Sequence, residues 1–300
     1  SVSWAVVGCV LAGLVPIPRH TWVDPGWRFI ACDVGQGDAL VLASGPGHAV
    51  LVDVGPDPNA VRGCLDRLGV HTLDAVVLTH FHADHVDGLA GALQGRHVGE
   101  IVACPMRDPP WEVEAVLTAA AGRGIPVSSA YAGDRYRWGD VEARVWWPAR
   151  IIREGSMPNN ASIVMTVSVS ASEAGSPTDV VGHSANRAVN LALLGDIERA
   201  SARALLSALR RDPDFSSWRV DVVKVAHHGS SDRDDGLLDV LTAPVAGISV
   251  RKGNDYGHPA PATLDALTAK GFTVLRTDRD GDIAVGRKGE GPLEVTTRGP

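Results

Sequence analysis

The sequence predicts β-sheets packed against each other with helices on their outer sides. Short apolar strands recur from Trp27 onward, strands follow one another directly near the start, and strands alternate with helical patterns further on. The 300-residue chain has 45% hydrophobic and 21% charged residues, so it can bury a sizeable core. This composition excludes a wholly disordered chain.

Each predicted element rests on the spacing of its apolar residues. Runs bounded by turn residues predict strands at Arg28–Cys32, Ala39–Ala43, Ala49–Val52, Ala75–Leu78, Glu100–Ala103, Val141–Trp146, Ser162–Ser168, Leu191–Leu194, Val220–Ala226, Ala246–Val250, Phe272–Leu275, Ile283–Val285 and Leu293–Thr296. Helical patterns predict helices at Asn59–Leu68, Val86–Leu93, Glu112–Ala121, Arg199–Arg210 and Ala260–Ala269.

The beginning of the chain differs from the rest. Trp4–Ile17 carries no charge, but it is shorter than the roughly 17–25 residues that a spanning helix needs. It is either the end of a membrane helix, which we favour, or an ordinary buried segment. We therefore predict the end of a transmembrane segment or a linker at 1–22, and one domain at 23–300. Within that domain, residues 171–188 are rich in Ser, Ala and Gly and predict a mobile insertion.

Charge and cysteine content limit the function further. The formal net charge of −7 argues against a surface that is basic all over, while leaving room for a local basic groove. Cys9, Cys32, Cys64 and Cys104 are far apart and form no C-x-x-C pair. We expect free, buried thiols rather than a zinc ribbon or a disulfide scaffold.

The strongest functional signal is Thr79-His80-Phe81-His82-Ala83-Asp84-His85, directly after a predicted strand. His80 and His82 can point to one side of an extended turn, and Asp84 and His85 can curl back toward a neighbouring point. The run thus offers nitrogen ligands for one cation and mixed ligands for a second. The alternative is a polar surface turn with chance histidines, which the spacing and the strand context disfavour.

Other acids and histidines follow predicted strands, and sheet proteins place such side chains at one rim. Asp196 is the best candidate for a carboxylate that bridges two cations, or it caps the helix that follows, or it does both. Asp53 is expected to orient a ligand histidine or to bond to a glycine-rich turn. The pair His227-His228 indicates a ligand plus a proton shuttle, and His258 is a ligand, a loop residue or a cap.

These residues, taken in order, resemble the metallo-β-lactamase superfamily. A narrower resemblance, to the C-terminal domain of ComEC-type competence proteins, rests on Asp33-Val34-Gly35-Gln36-Gly37-Asp38, Asn159-Asn160-Ala161-Ser162, Gly195-Asp196, His227-His228-Gly229-Ser230 and Tyr256-Gly257-His258-Pro259. It runs from about Trp27 to about Gly286. The resemblance implies an αββα fold, in which two mixed β-sheets flanked by helices form a four-layer sandwich.

The resemblance also implies roles for individual residues. Metal ligands are expected at His80, His82, Asp84, His85, Asp196, His227 and His258. Catalytic roles are expected for Asp84, His228 and His258, and the roles of His227 and His228 stay interchangeable. Asp33, Asp38, Asp53, Asn160 and Ser230 are expected around the ligands or the substrate. Two departures are a missing histidine before Asp196, where only His183 is available, and Asp87 in place of a usual glycine.

Two divalent cations, zinc or manganese, bridged by Asp196 would activate water for attack on a phosphate. The resemblance implies a nuclease that degrades the non-transported DNA strand during DNA uptake. Its implied partners are single-stranded DNA, the membrane-embedded channel portion of the same polypeptide and other competence proteins. Its implied location is the extracellular face of the cell membrane. The alternatives are hydrolysis of amide, thioester or lactam bonds, and a non-catalytic module that guides DNA to a membrane channel.

Overall fold

The computed structural model describes residues 22–24, 26–170, 188–216, 218–289 and 291–299. The predicted segment 1–22 and the predicted insertion 171–188 fall outside these residues, apart from positions 22 and 188, and stay predictions. Within the described ranges, no helix has both the length and the apolar character needed to cross a membrane.

One sheet gathers strands from both ends of the described chain. Its nine described strands are β1 (Trp27–Ala31), β2 (Leu40–Gly45), β3 (His48–Val52), β4 (Thr72–Leu78), β5 (His97–Val98), β6 (Ile101–Ala103), β7 (Val127–Ser129), β15 (Ile283–Arg287) and β16 (Leu293–Thr297). The order is β16-β15-β1-β2-β3-β4-β6-β7, and β5 also pairs with β4. The pairs from β16 to β3 are antiparallel and the pairs from β3 to β7 are parallel.

The other sheet is formed by the middle and later parts of the chain. Its seven described strands are β8 (Arg135–Trp138), β9 (Val141–Trp147), β10 (Val164–Val169), β11 (Val189–Leu193), β12 (Val222–Lys224), β13 (Val245–Ile248) and β14 (Thr273–Arg276). They lie in the order β14-β13-β12-β11-β10-β9-β8. The pairs from β8 to β11 are antiparallel and those from β11 to β14 are parallel, so this sheet is mixed as well.

The helices connect the strands and cover the sheets. They are α1 (Pro58–Arg67), α2 (Ala83–Val86), α3 (Leu89–Leu93), α4 (Pro110–Ala121), α5 (Met157–Asn160), α6 (Arg199–Leu209), α7 (Pro213–Ser216), α8 (Asp235–Val240), α9 (Pro261–Ala269) and α10 (Thr277–Asp280). The apolar faces of α1, α3 and α4 join the large core cluster, which contains residues of both sheets. The apolar faces of α6, α8 and α9 join a separate cluster on the second sheet.

Alternation along β12 shows the layering. Val222 belongs to the large core cluster that the two sheets share, whereas Val223, the next residue, packs in the cluster with α6 and α8. Successive side chains of a strand point to opposite faces, so one face of the second sheet meets the first sheet and the other meets helices. The four-layer αββα prediction is confirmed.

The predicted helix Val86–Leu93 is two helices in the structure. Helix α2 ends at Val86 and α3 begins at Leu89. Between them, Gly88 lies so close to the carbonyl of Val54 that a Cβ atom on it would be 1.9 Å from that oxygen. A larger residue at this position would clash with the backbone after β3. The spacing of apolar residues does not reveal this contact.

The prediction of free thiols is wrong for two of the cysteines. Cys32, directly after β1, forms a disulfide with Cys64 in α1, and their Cα atoms are 6.1 Å apart. The 32-residue sequence separation of the two gave no sign of this, because helix α1 returns over the end of β1 only in the folded chain. Cys104 is free and buried, as predicted. Cys9 lies outside the described residues.

We expect the disulfide to stabilise the fold substantially. Closing a loop of this length corresponds to about 3–4 kcal/mol in the chain-entropy treatment. Replacing Cys32 and Cys64 together by Ser should lower the free energy of unfolding in urea by about that amount. Reducing the disulfide should lower the free energy of unfolding of the parent chain, and the same treatment should leave that of the double variant unchanged. A parent chain whose unfolding is insensitive to reduction would contradict this expectation.

Candidate metal centre

The H-x-H-x-D-H run leaves the end of β4 and is anchored at its first residue. Thr79 donates from its backbone N–H to Asp53 Oδ1 and from its hydroxyl to Asp53 Oδ2, both at 2.7 Å. Val52 of β3 pairs with Val77 of β4, so Asp53 and Thr79 emerge at the same sheet edge. Asp84 and His85 then lie in α2, after the N-cap residue His82.

A glycine allows a second loop to approach this run. Gly37, in the D-V-G-Q-G-D turn, has a φ of 134°, and a Cβ atom on it would lie 2.0 Å from the carbonyl oxygen of Asp84. Only a residue without a side chain fits there. The close approach brings Asp38, the last residue of the turn, under the metal-ligand candidates.

Asp53 orients His85. Its Oδ2 atom accepts a hydrogen bond from His85 Nδ1 at 2.8 Å, and both side chains are buried. Asp53 itself has a φ of 57°, in the left-handed region that non-glycine residues rarely adopt. Because the Nδ1 atom of His85 is directed toward Asp53, its Nε2 atom faces the other acids of the site.

The second sheet contributes Asp196 and His228. Leu193 of β11 is paired with Lys224 of β12, and the segments that follow leave the same edge of the sheet. His227 and His228 have φ values of 49° and 52° in a tight 3-10 turn. This conformation, strained for non-glycine residues, turns the two rings apart. His228 Nδ1 donates to the carbonyl oxygen of Ser249 at 2.9 Å, which leaves its Nε2 facing Asp196.

Four side chains from the two sheets therefore converge on one point. His85 Nε2 lies 3.4 Å from Asp196 Oδ2, and His228 Nε2 lies 3.3 Å from that oxygen. Asp84 Oδ2 lies 3.2 Å from His228 Nε2 and 3.8 Å from His85 Nε2. Ligands about 2.0–2.1 Å from a tetrahedral ion are about 3.3 Å from one another. The spacing of these four groups fits a single divalent cation, and their ligand atoms all lie within 4.8 Å of one another.

The buried polar atoms of the site support the same conclusion. His80 Nε2, His85 Nε2, His228 Nε2 and Asp196 Oδ1 are buried and make no hydrogen bond to a residue that the structure describes. Buried nitrogens and oxygens are rarely left this way, because the loss of hydration goes uncompensated. A bound cation would satisfy them. Imidazole and carboxylate ligands without a thiolate suit zinc, manganese or iron.

The charges of the site act strongly on one another. Burial alone lowers the pKa of His85, but Asp196, Asp84 and Asp53 together raise it well above its ordinary value. Burial also lowers the pKa of His228, but Asp196 and Asp84 outweigh this effect and raise that pKa to about 10. The pKa of the Asp196 carboxyl is well below its usual range, since His228 and His85 overcome the effect of its burial. The site is therefore built to keep positive charge between its carboxylates.

His80 and His82 lie at the other side of His85. The ring centroid of His80 lies 4.7 Å from that of His82 and 4.2 Å from that of His85. The Nδ1 atom of His80 lies 3.3 Å from the hydroxyl of Ser162, which also accepts a hydrogen bond from the backbone N–H of Asp196 at 3.1 Å. Ser162 thus ties His80 to Asp196, and the Nε2 atom of His80 points away from this contact.

His227 and His258 lie apart from the four-residue cluster but next to each other. Their ring centroids are 5.3 Å apart, and His227 Nε2 lies 3.4 Å from the side-chain nitrogen of Asn159. Burial and the neighbouring rings of His227 and His228 lower the pKa of His258 to about 4, so its ring is neutral at pH 7. The N-cap of α9 is Ala260, so His258 is not that cap. Similarly, the N-cap of α6 is Glu198 rather than Asp196.

The remaining predicted residues take supporting positions. Asn160 is fully buried and donates to the backbone carbonyl of Glu154 at 2.8 Å and to the Glu198 carboxylate at 2.9 Å. Ser230 donates its backbone N–H to the carbonyl of His227 at 2.8 Å, which closes the turn. Asp33 accepts from the backbone N–H of Gly35 at 3.3 Å. Asp33 does not belong to the His/Asp clusters found among the described residues.

Lys224 is the residue that sequence reasoning missed. It is fully buried, and its ammonium lies 2.7 Å from Asp38 Oδ2 and donates to the Val225 carbonyl at 3.0 Å. The other oxygen of Asp38 is 3.8 Å from His228 Nδ1. The ion pair therefore joins the two sheets directly beneath the site. A single lysine inside the apolar run Val222-Val223-Lys224-Val225 was the available signal.

The family profile described as "Metallo-beta-lactamase superfamily" matches residues 32–232. The chain is 27% identical over 274 residues to ComE operon protein 3 of Bacillus subtilis (strain 168), covering 84% of this chain and 32% of that protein. It is 25% identical over 287 residues to competence protein ComA of Neisseria gonorrhoeae, covering 94% of this chain and 35% of that protein. The chain thus spans about a third of these relatives.

A solved structure shows the same fold. Zn²⁺-bound PqqB from Methylobacterium extorquens superposes with a TM-score of 0.50 over 80% of this chain and 85% of that chain, at 11% sequence identity. At this identity the likeness concerns the fold alone.

Replacing Asp196 by Asn should remove metal binding. The carboxylate contacts both His85 and His228, so its loss should weaken zinc or manganese binding by more than about 100-fold. Calorimetric titration and metal content after dialysis measure this. Asp265→Asn, on the exposed side of α9, is the matched control and should bind metal as the parent does. Equal metal content in both variants would contradict the site.

Replacing Lys224 by Met should destabilise the fold by about 3–5 kcal/mol, because it leaves the Asp38 carboxylate buried and unpaired. Adding Asp38→Asn should recover most of that loss. The control is Lys270→Met, which removes the Lys270–Asp239 pair at the surface and should cost at most about 1 kcal/mol. Urea unfolding measures all three variants, and equal losses for the two lysines would refute a structural role for the buried pair.

Proposed function

The chain belongs to the metallo-β-lactamase superfamily, and from this premise we propose that it is a metal-dependent phosphodiesterase that cleaves DNA. In this proposal it degrades the strand that is not transported during DNA uptake.

One observation carries the proposal. Asp84, His85, Asp196 and His228 come from two different sheets, and their ligand atoms converge within 4.8 Å. Such a cluster does not stabilise the fold by itself, since burying several carboxylates costs more folding free energy than burying apolar groups of the same size. The convergence is explained by a cation that the reaction uses.

Divalent cations bound at such a site supply the Lewis acidity that makes water a nucleophile near neutral pH and offsets the charge of a phosphate. The protein's own part is orientation. Asp53 and the Ser249 carbonyl hold the rings of His85 and His228 by their Nδ1 atoms, so both Nε2 atoms face Asp196. In this proposal the neutral ring of His258, beside His227, would hydrogen-bond a phosphate oxygen of the substrate.

The choice of DNA as substrate rests on the competence relatives. One of them, ComA, is named as a competence protein, and the similarity to each relative covers most of this chain. An exposed aromatic residue supports a nucleic-acid substrate: Tyr256 is 70% exposed, and its ring lies 6.0 Å from that of His258 at an angle of 27°. Exposed aromatic rings beside a phosphate-binding site are typical stacking surfaces for unpaired bases. We therefore propose single-stranded DNA as the substrate.

The proposal extends to location and partners. This part of the chain would lie on the extracellular face of the cell membrane, next to a channel portion of the same polypeptide and to other competence proteins. The Cys32–Cys64 disulfide supports the extracellular face, because disulfides persist in oxidising compartments and are rare in the cytosol.

The test is nucleotide release from single-stranded DNA with manganese or zinc. His82→Ala should reduce the rate by at least about 100-fold, since His82 belongs to the histidine cluster beside Asp196. The matched control His97→Ala removes an exposed imidazole on β5 and should keep the parent rate.

Three outcomes distinguish the hypotheses. Cleavage of DNA that His82→Ala abolishes supports the nuclease. Cleavage of a β-lactam or thioester panel, without DNA cleavage, would replace it by another hydrolase. Tight DNA binding by a metal-loaded chain with no hydrolysis of any substrate would replace it by a non-catalytic guiding module.

A further inference from the structure

A cavity lined by arginines opens between the start of α6 and the loop that precedes α5. Its volume is about 530 Å³, and four guanidinium side chains line it: Arg150, Arg153, Arg199 and Arg203. All four residues are exposed. The acid that lines the same cavity is Glu154.

Among the residues that the structure describes, two of these arginines find no partner that neutralises them. Arg150 and Arg153, in the loop between β9 and α5, make no ion pair or hydrogen bond to any residue in the described part of the chain. Arg199 and Arg203, on α6, pair with Asp232 at 3.4 Å and Asp234 at 3.2 Å. These pairs are at the surface and contribute little, so the guanidinium groups are available to a stronger anionic ligand.

The cavity is tied to the metal centre at three places. Arg199 follows Asp196 by three residues, so their Cα atoms are at most about 11 Å apart. Its guanidinium also donates to the carbonyl of Arg233 at 3.1 Å, shortly after the turn that carries His228. On the other side, Glu154 accepts a hydrogen bond from Asn160, whose neighbour Asn159 contacts His227.

We propose that this arginine cavity binds the phosphodiester backbone of single-stranded DNA next to the bond that is cut; this rests on the proposed function. Guanidinium groups match phosphate oxygens in shape and charge and keep their charge at all physiological pH values. In a chain of net charge −7, four arginines in one cavity mark a local exception. Such a site attracts a polyanion that the rest of the surface repels.

A second basic cavity, on β8 to β10, fits DNA less well. Its Arg144 is held in an ion pair with Asp212 at 2.5 Å and lies over the ring of Trp146. Trp146 and Phe215, which line it too, are only 8% and 6% exposed, so their faces are not open to bases. Neither Arg144 nor these two rings is open to a DNA strand, whereas Arg150 and Arg153 in the cavity on α6 are exposed.

The test compares salt dependence of binding. Affinity of a labelled oligothymidylate of about 20 nucleotides is measured by fluorescence anisotropy in EDTA, over about 50 to 300 mM salt. Each phosphate contact adds about 0.7 to the slope of log K against log salt for single strands. Arg150→Ala with Arg153→Ala should lower the slope by about 1.4 and weaken binding at low salt by at least about tenfold.

The control removes the same charge elsewhere. Arg210→Ala with Arg211→Ala takes two exposed arginines from the opposite end of α6 and should leave the slope unchanged. An unchanged slope in the Arg150/Arg153 variant, or an equal loss in the control, would overturn the proposal.

Hydrolysis of bis(p-nitrophenyl) phosphate with manganese separates this proposal from the proposed function, because so small a diester does not need the cavity. Hydrolysis that both double variants retain, with the expected drop in slope, supports both. Hydrolysis with an unchanged slope refutes only the cavity. A drop in slope without hydrolysis of this diester or of DNA refutes only the phosphodiesterase and leaves a single-strand binding site.

Discussion

The meeting of two imidazoles on one carboxylate is the contact on which the rest of the structure depends. His85 comes from the first sheet and His228 from the second, and both place Nε2 within 3.4 Å of Asp196 Oδ2. Neither sheet forms this site alone. The packing of the two sheets, their relative register and the strained turn at His227-His228 all have to be right at once, because a shift of one residue would turn the side chains to the other face.

Charge balance explains why this contact needs a cation. Asp38, Asp53, Asp84 and Asp196 bring four negative charges into a mostly buried region, and Lys224 compensates one of them. Neutral imidazoles would leave three negative charges uncompensated in a low-dielectric interior. Protons on His85 and His228 reduce the excess, which is why the pKa of each is raised. A divalent cation would compensate the excess negative charge, and it would also be coordinated by the carboxylate and imidazole groups.

The sequence predicted the elements of the site better than their arrangement. Residues that follow strand ends, such as Asp53 and Asp196, could be located because apolar runs in the sequence predict the strands and where they end. The choice of His228 over His227 in the four-residue cluster could not, since it depends on two positive φ angles. The Cys32–Cys64 bridge and the Asp38–Lys224 pair were also out of reach, because each joins segments that only the packing brings together.

Charge is also unevenly distributed on the two sides of the site, and this bears on how a polyanion would lie. On the side of α2 and α4, burial and the neighbouring Asp87 carboxylate raise the pKa of Glu112, as expected for acids that repel each other. On the side of α6, Arg199 and the loop arginines form the cavity. In the proposed function, a DNA strand would be repelled on the first side and attracted on the second. The Asp87 carboxylate would therefore favour a strand that reaches the metal centre from the side of α6.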